Sequence, residues 1–200
     1  MDDGKIHGRT VDTGNPTVVE YIRQNTDDHG ERYMAKNFPL FVDVSNKQMI
    51  VYGAGKIASR RVETLLAFTS SLTVFAPEAS ERVQRAAEDG YLVWKREAYQ
   101  EGTIPADAFM VLAATNDAWV NTQIWKECRE KHILVNVCSD RNLCDFQFPG
   151  IASRGDLVIG INAGGQDHRL AKTWTDKIKK EVTEDGFNNQ TKTSSDISKA

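Results

Sequence analysis

Apolar residues along this chain fall into short runs separated by stretches of helical spacing, a rhythm that starts near Phe38 and holds to about Val182. Residues 48–52 (QMIVY) have the length and apolar density of a buried strand. The spacing over 56–68, with Ile57, Arg61, Leu65 and Phe68 about one turn apart, predicts a helix. The alternation continues with a strand over 72–75, a helix over 78–88, strands over 91–94 and 109–113, a helix over 117–131 and a strand over 133–137. Strands alternating with helices imply an α/β fold, a mostly parallel sheet covered on both faces. After Val137 the rhythm breaks. Residues 146–153 and 157–162 flank Arg154-Gly155-Asp156, a turn signal that predicts an antiparallel pair, and a last helix is expected over 167–182. On the second strand of that pair Leu157, Ile159 and Ile161 share one face, and Gly160 on the other leaves room for a close neighbour.

The two ends differ from this middle. Residues 1–33 are polar, with one short amphipathic candidate over 17–23, and residues 183–200 are polar again, so both are expected to be disordered. The expected organisation is a nucleotide-binding domain over 34–147 and a second module over 148–182. The 25 basic and 28 acidic residues nearly cancel, leaving a net charge of -3. No field of one sign favours nucleic acid as a partner. No stretch approaches the roughly 20 apolar residues that span a bilayer, and the first thirty residues hold no apolar run of signal-peptide length. Cys128, Cys138 and Cys144 lack paired C-x-x-C spacing, which suits reduced thiols. A soluble, cytoplasmic protein is the expectation.

The most informative local feature is Gly53-Ala54-Gly55-Lys56-Ile57-Ala58, lying between the first strand and the first helix. A dinucleotide's pyrophosphate needs backbone N–H groups at a helix N-terminus, and glycines let the main chain turn tightly and come close. Gly53 suits the turn and Gly55 the approach, while Ala58 is small enough for the helix to pack near the sheet. The context is that of a Rossmann-type domain; the alternative is a tight strand-to-helix turn without a ligand. At the end of the second strand stands Phe75-Ala76-Pro77-Glu78, with Glu78 within reach of a ribose. No Arg or Lys follows the strand immediately, which favours NAD over NADP.

With these residues in place the chain resembles the precorrin-2 dehydrogenase family, the NAD-dependent module of siroheme synthesis. The resemblance rests on Phe38-Pro39-Leu40-Phe41, the glycine loop with Arg60-Arg61, and Leu72-Thr73-Val74-Phe75-Ala76-Pro77-Glu78. Leu112-Ala113-Ala114-Thr115-Asn116-Asp117, Val135-Asn136-Val137, Asp145-Phe146-Gln147-Phe148-Pro149, Arg154-Gly155-Asp156-Leu157 and Gly164-Gly165-Gln166 before Leu170-Ala171-Lys172 extend it from about 38 to 182. It implies oxidation of the tetrapyrrole precorrin-2 to sirohydrochlorin, with hydride passing to NAD, and in some members iron insertion. It also implies that Gly53, Gly55, Lys56, Ile57 and Ala58 form the pyrophosphate loop, with Pro77 and Glu78 at the adenosine ribose. Thr115 and Asn116 would line the cofactor's other side. The antiparallel segment after Phe148 would form a homodimer interface.

The chain departs from the family pattern in three places. Where members carry an acidic residue after the Asn-Val strand, this chain has Ser139, with Asp140 next to it. A hydroxyl is neither a base at pH 7 nor a good ligand for a hard divalent metal, so Ser139 and Asp140 become the candidate catalytic positions, and iron insertion is in question. A one-residue shift in extended chain reverses a side chain's face, so Asp140 substitutes only if the loop bends. Residues 162–169 read Asn-Ala-Gly-Gly-Gln-Asp-His-Arg, with Asp167 a candidate helix cap and His168 either an acid–base group or an exposed helix residue. The C-terminal helical domain of relatives is expected to be reduced to one helix and a tail. A non-catalytic relative that binds nucleotide or tetrapyrrole is the alternative function. Cys128 and His132, four apart on one helix, invite a metal site with Cys138 and Cys144, but buried thiols are the simpler reading, and no resident metal is expected. The four tryptophans read as fillers of cores or interfaces. Lys172, Lys177, Lys179 and Lys180 read as a solvated helix face.

Overall fold

A computed structural model describes residues 37–164 and 167–183. The chain divides into two units, Met1–Phe38 and Pro39–Ala200, and the described elements all lie in the second. The expectations for residues 1–33 and for the tail beyond Thr183 lie outside the described residues.

Five strands, β1 (Met49–Tyr52), β2 (Leu72–Phe75), β3 (Val93–Lys95), β4 (Met110–Ala113) and β5 (Leu134–Val137), form one parallel sheet in the order β3-β2-β1-β4-β5. Three helices accompany it, α1 (Lys56–Leu65), α2 (Glu81–Glu88) and α3 (Ala118–Glu130). All but the edge strand β3 are buried on both sides, and their residues alternate between two cores. Met49, Val51, Leu72, Val74 and Leu112 pack with Ala58, Val62 and Leu65 of α1 and Val83 of α2. Ile50, Tyr52, Val111, Ala113, Val135 and Val137 face the other way, onto Ile124 and Cys128 of α3 and Ile104. At about 1.5–3 kcal/mol for each such aliphatic side chain, burial drives the assembly.

The register decides where function can reside. Tyr52 pairs with both Phe75 and Ala113, and Ala113 with Val137. Four strands therefore end in one row, and the loops at 53, 76, 114 and 138 leave the sheet side by side. The order reverses between β1 and β4, the switch point at which open α/β sheets bind ligands.

Between β3 and β4 the chain crosses the sheet without a helix, and the carboxylate of Glu127 on α3 organises that crossing. Its Oε1 accepts from Ile104 N at 2.9 Å and Lys131 Nζ at 2.6 Å, and its Oε2 from Tyr99 Oη at 2.7 Å and Gly102 N at 3.0 Å. Buried loop amides need such partners.

A separate antiparallel pair, β6 (Gly150–Arg154) and β7 (Leu157–Ile161), turns through Gly155 at φ 56° and packs against α4 (His168–Thr183). The close approach is at Gly150, where a Cβ would lie 2.0 Å from Thr175 Oγ1 of α4. At Gly160 the nearest neighbour is only Pro149, 3.9 Å away.

Several sequence expectations need correction. α1 ends at Leu65, not 68, and its inward stripe is Ala58, Val62 and Leu65, whereas Ile57 is exposed. Glu78 precedes α2, which starts at Glu81, since Ser80 N donates back to Ala54 O at 3.2 Å. The tryptophans divide, with two packed at the cores and two at the surface. Trp119 and Trp174 are exposed, and Trp94 and Trp125 are only partly buried. Cys128 is buried, whereas Cys138 and Cys144 are half-buried. Among the described residues no three His, Cys, Asp or Glu side chains converge on a metal position. His132, at φ 56°, ends α3 instead, with His132 N donating to Arg129 O and Ile133 N to Cys128 O. On the lysine face, Lys172 pairs with Asp176 and Lys177 lies over the Trp174 ring.

Candidate functional site: the crest of the parallel sheet

Gly53 leaves β1 at φ 103°, and an added Cβ would sit 2.3 Å from Ala114 O and 2.9 Å from Thr115 N. The missing side chain lets the β1 loop press on the β4 loop at the switch point. Gly55 is different in kind. It is the N-cap of α1, in extended backbone (φ -73°), and its missing Cβ would meet nothing within 4 Å. The first-turn amides of α1 have no capping side chain, in contrast to α3, where Asp117 Oδ1 accepts from Trp119 N and Val120 N, and α4, where Asp167 Oδ1 accepts from Arg169 N and Leu170 N. Orphan N–H groups at a helix start, approached across open space, are the donor set that a pyrophosphate requires. The residues present therefore fit a dinucleotide. Ala58, at 1% exposure, holds α1 close to the sheet, while Lys56 and Ile57 face outward.

Two polar staples hold the crest loops in register, and sequence reasoning missed both. Ser59 Oγ meets Ser80 Oγ at 2.7 Å and Ala54 O at 3.1 Å, tying the glycine loop to the segment that carries exposed Pro77 and Glu78. On the other side stands Asn121 of α3, only 1% exposed. Its Oδ1 accepts from Thr115 N at 3.0 Å and Thr115 Oγ1 at 2.8 Å, and its Nδ2 donates to Thr115 O and to Ser139 Oγ, each at 3.2 Å. A polar residue in the apolar stripe 121, 124, 128 of α3 was the available signal.

Ser139 and Asp140 stand at the end of β5, both exposed. The chain bends there, with Asp140 N donating to Val137 O at 3.3 Å, so the face-reversal rule for extended chain no longer applies. Asp140 Oδ1 accepts from Asn142 N at 2.8 Å, capping a 3-10 turn at Arg141–Leu143. Burial raises the thiols of Cys138 and Cys144, against the opposing charge of nearby Arg61, so both are poor nucleophiles at neutral pH. Arg61 itself bonds Asn136 Oδ1 and lies 5.1 Å over the Phe148 ring. Asn136 Nδ2 donates to Phe146 O at 2.8 Å. This chain of contacts joins the crest to a small cleft lined by Phe148, Asn162, Asp167 and His168. The structure thus brings Gly53, Gly55, Thr115, Asn116, Ser139 and Asp140 onto adjacent loops, with Pro77 and Glu78 on the β2 side.

One variant separates the roles of the glycines. Gly55→Val is expected to lower stability by no more than about 1 kcal/mol, because its backbone suits any residue and only an N-cap preference is lost. The same side chain fills the approach to α1, so affinity for the dinucleotide should fall tenfold or more, measured by calorimetric titration beside a urea melt.

No helix among the described residues is long and apolar enough to cross a membrane. A family model described as "Putative NAD(P)-binding" matches residues 40–150. The chain is 37% identical over 128 residues to the siroheme synthase of Pseudoalteromonas atlantica, a match covering 64% of this chain and 28% of that protein. Over 144 residues it is 36% identical to a protein of Ruminiclostridium josui named "Probable multifunctional siroheme biosynthesis protein HemA", covering 72% of this chain and 28% of that one. The chain thus spans under a third of these curated relatives. Among solved structures, SirC, a precorrin-2 dehydrogenase, superposes with a TM-score of 0.62 at 28% identity, covering 74% of this chain and 72% of that one. The matched stretch contains the glycine loop, the Asn121 staple and the β5 turn, and over residues 40–150 the chain belongs to the NAD(P)-binding domain family of siroheme synthases and precorrin-2 dehydrogenases.

Proposed function

We propose that this protein is an NAD-dependent precorrin-2 dehydrogenase, oxidising precorrin-2 to sirohydrochlorin as a homodimer in the cytoplasm. The observation that carries the reading is the crest itself, with an uncapped α1, an open Gly55 and the Thr115 and Ser139 loops held beside it by Asn121. When bound, the dinucleotide supplies the hydride acceptor. The amides of Gly55, Lys56 and Ile57 hold its pyrophosphate, and Pro77 and Glu78 border the adenosine ribose. Glu78 and the lack of a basic residue directly after β2 favour NAD, because a carboxylate repels the extra phosphate of NADP. Thr115 and Asn116 flank the other half, and Asn121 keeps that loop at a constant distance from the glycine loop. Hydride transfer between aligned rings draws mainly on proximity, so an oxidation survives the replacement of a carboxylate by Ser139. Iron insertion, which needs proton removal from pyrrole nitrogens, is expected to be weak or absent.

An anaerobic assay with precorrin-2 and NAD, followed by the absorbance of sirohydrochlorin, tests the reading. Turnover is expected with NAD and much less with NADP. A second reading, a relative that binds nucleotide or tetrapyrrole without turning it over, is favoured by the neutral hydroxyl of Ser139 and by the engagement of Asp140 as a cap. A folded protein that binds NAD but leaves precorrin-2 unchanged would establish it. Asp140→Ala is expected to alter the rate by less than threefold, since its Oδ1 serves the 3-10 turn; a hundredfold loss would make Asp140 the base.

A further inference from the structure

Removing two hydrogens from the substrate requires more than a hydride acceptor. One C–H bond breaks with its electron pair passing to the dinucleotide, and a proton must then leave the oxidised substrate so that the new double bond can form. At the crest the candidate acceptors are a hydroxyl and a carboxylate with one oxygen engaged. Ser139 has a neutral hydroxyl whose oxygen accepts from Asn121, and Asp140 has an oxygen committed to Asn142 N.

The cleft beyond Phe148 offers another acceptor. Its lining includes Gln147 and Phe148 from the loop after β5, Asn162 and Ala163 after β7, and Asp167 and His168 at the start of α4. Asp167 is engaged, its Oδ1 accepting two amides of α4 at 3.0 and 2.8 Å. His168 is exposed, and among the described residues no hydrogen bond or ion pair occupies its imidazole. Neither β6, β7 nor the loop after β5 contributes a charged side chain to the cleft, so Asp167 is the charge that faces His168 there. On α4 itself, Arg169 is adjacent and Lys172, one turn on, is paired with Asp176 at 2.6 Å. The cleft is coupled to the crest through the Phe148 ring on Arg61 and the Arg61–Asn136 bond one residue before the end of β5.

We propose that His168 is the base of the oxidation, taking the proton that leaves the tetrapyrrole as its hydride passes to the dinucleotide. The inference rests on the dehydrogenase reading. An imidazole ring nitrogen carries a lone pair that can take up a proton, and the ring can pass it to water afterwards.

The test uses the full chain with saturating NAD and precorrin-2 under anaerobic conditions. His168→Gln and His168→Ala are expected to lower kcat about a hundredfold while leaving the Kd for NAD unchanged. Added imidazole should restore part of the rate of the Ala variant. Independently of turnover, the His168 Cε1 proton resonance should shift when sirohydrochlorin is added without NAD. Variants that keep kcat within twofold, or a resonance that does not move, would overturn the assignment. Absence of turnover by the wild-type protein would overturn the dehydrogenase reading and this inference with it, whereas wild-type turnover with an unaffected His168→Gln variant overturns the inference alone.

Discussion

Gly53→Ala is expected to lose at least about 3 kcal/mol of stability and, in whatever fraction remains folded, most of its affinity for the dinucleotide. Two costs add at this position. A residue with a Cβ is strained at φ 103°, and that Cβ would lie 2.3 Å from a carbonyl oxygen of the neighbouring strand's exit loop, where backbone has no room to yield. Relief requires the β1 and β4 loops to part, which separates the uncapped start of α1 from Thr115. A urea melt with a parallel NAD titration measures both effects. A variant as stable as wild type would show that the two loops do not depend on this contact. Gly55→Val supplies the contrast, losing affinity without comparable loss of stability.

Glu127→Gln is the second large effect. All four partners of the carboxylate are donors, namely Lys131 Nζ, Tyr99 Oη and the amides of Gly102 and Ile104. A glutamine turns one acceptor oxygen into an NH2 group facing two of those donors and leaves Lys131 without its counter-charge. Disrupting a buried, charge-assisted set of this kind costs about 2–4 kcal/mol. Burial by itself raises the Glu127 carboxyl, but Lys131, Tyr99 and the two amides together hold it below its ordinary value of 4.5. The sign follows. With the folded-state value depressed, this stabilisation is fully present above about 4.5 and is lost as the pH falls through the folded value. The gap between wild type and Glu127→Gln in urea midpoint should be wide at pH 7 and narrow in acid; a gap independent of pH would remove the carboxylate from this role.

The parallel sheet was legible in the chain because β1, β2, β4 and β5 are short apolar runs buried on both faces, a pattern that survives any detail of packing. β3 was placed two residues early, over 91–94 in place of Val93–Lys95, for the opposite reason. It pairs only with β2, and Tyr91 and Val93 are exposed, so apolar content does not mark its ends. The start of α2 was misread because Pro77 and Glu78 stay in the loop, held by the Ser80 N to Ala54 O bond to a residue far away in sequence. Asn121 and Glu127 both occupy the buried stripe of α3, where a polar residue signals a partner without naming it. Their partners, Thr115 and Ser139 in one case and Tyr99, Gly102 and Ile104 in the other, come from segments brought together only when the sheet is complete.

By itself the sequence determined the order and type of the main elements and the glycine loop between strand and helix. Those are local properties, set by periodicity and by the conformations open to single residues. Only the tertiary structure decided that Gly53 serves loop packing while Gly55 serves approach, because that distinction depends on what stands opposite each missing Cβ. It likewise decided that Asp140 is drawn into a cap and that His168 faces a cleft, since both depend on the bend after β5 and the docking of α4 on the antiparallel pair.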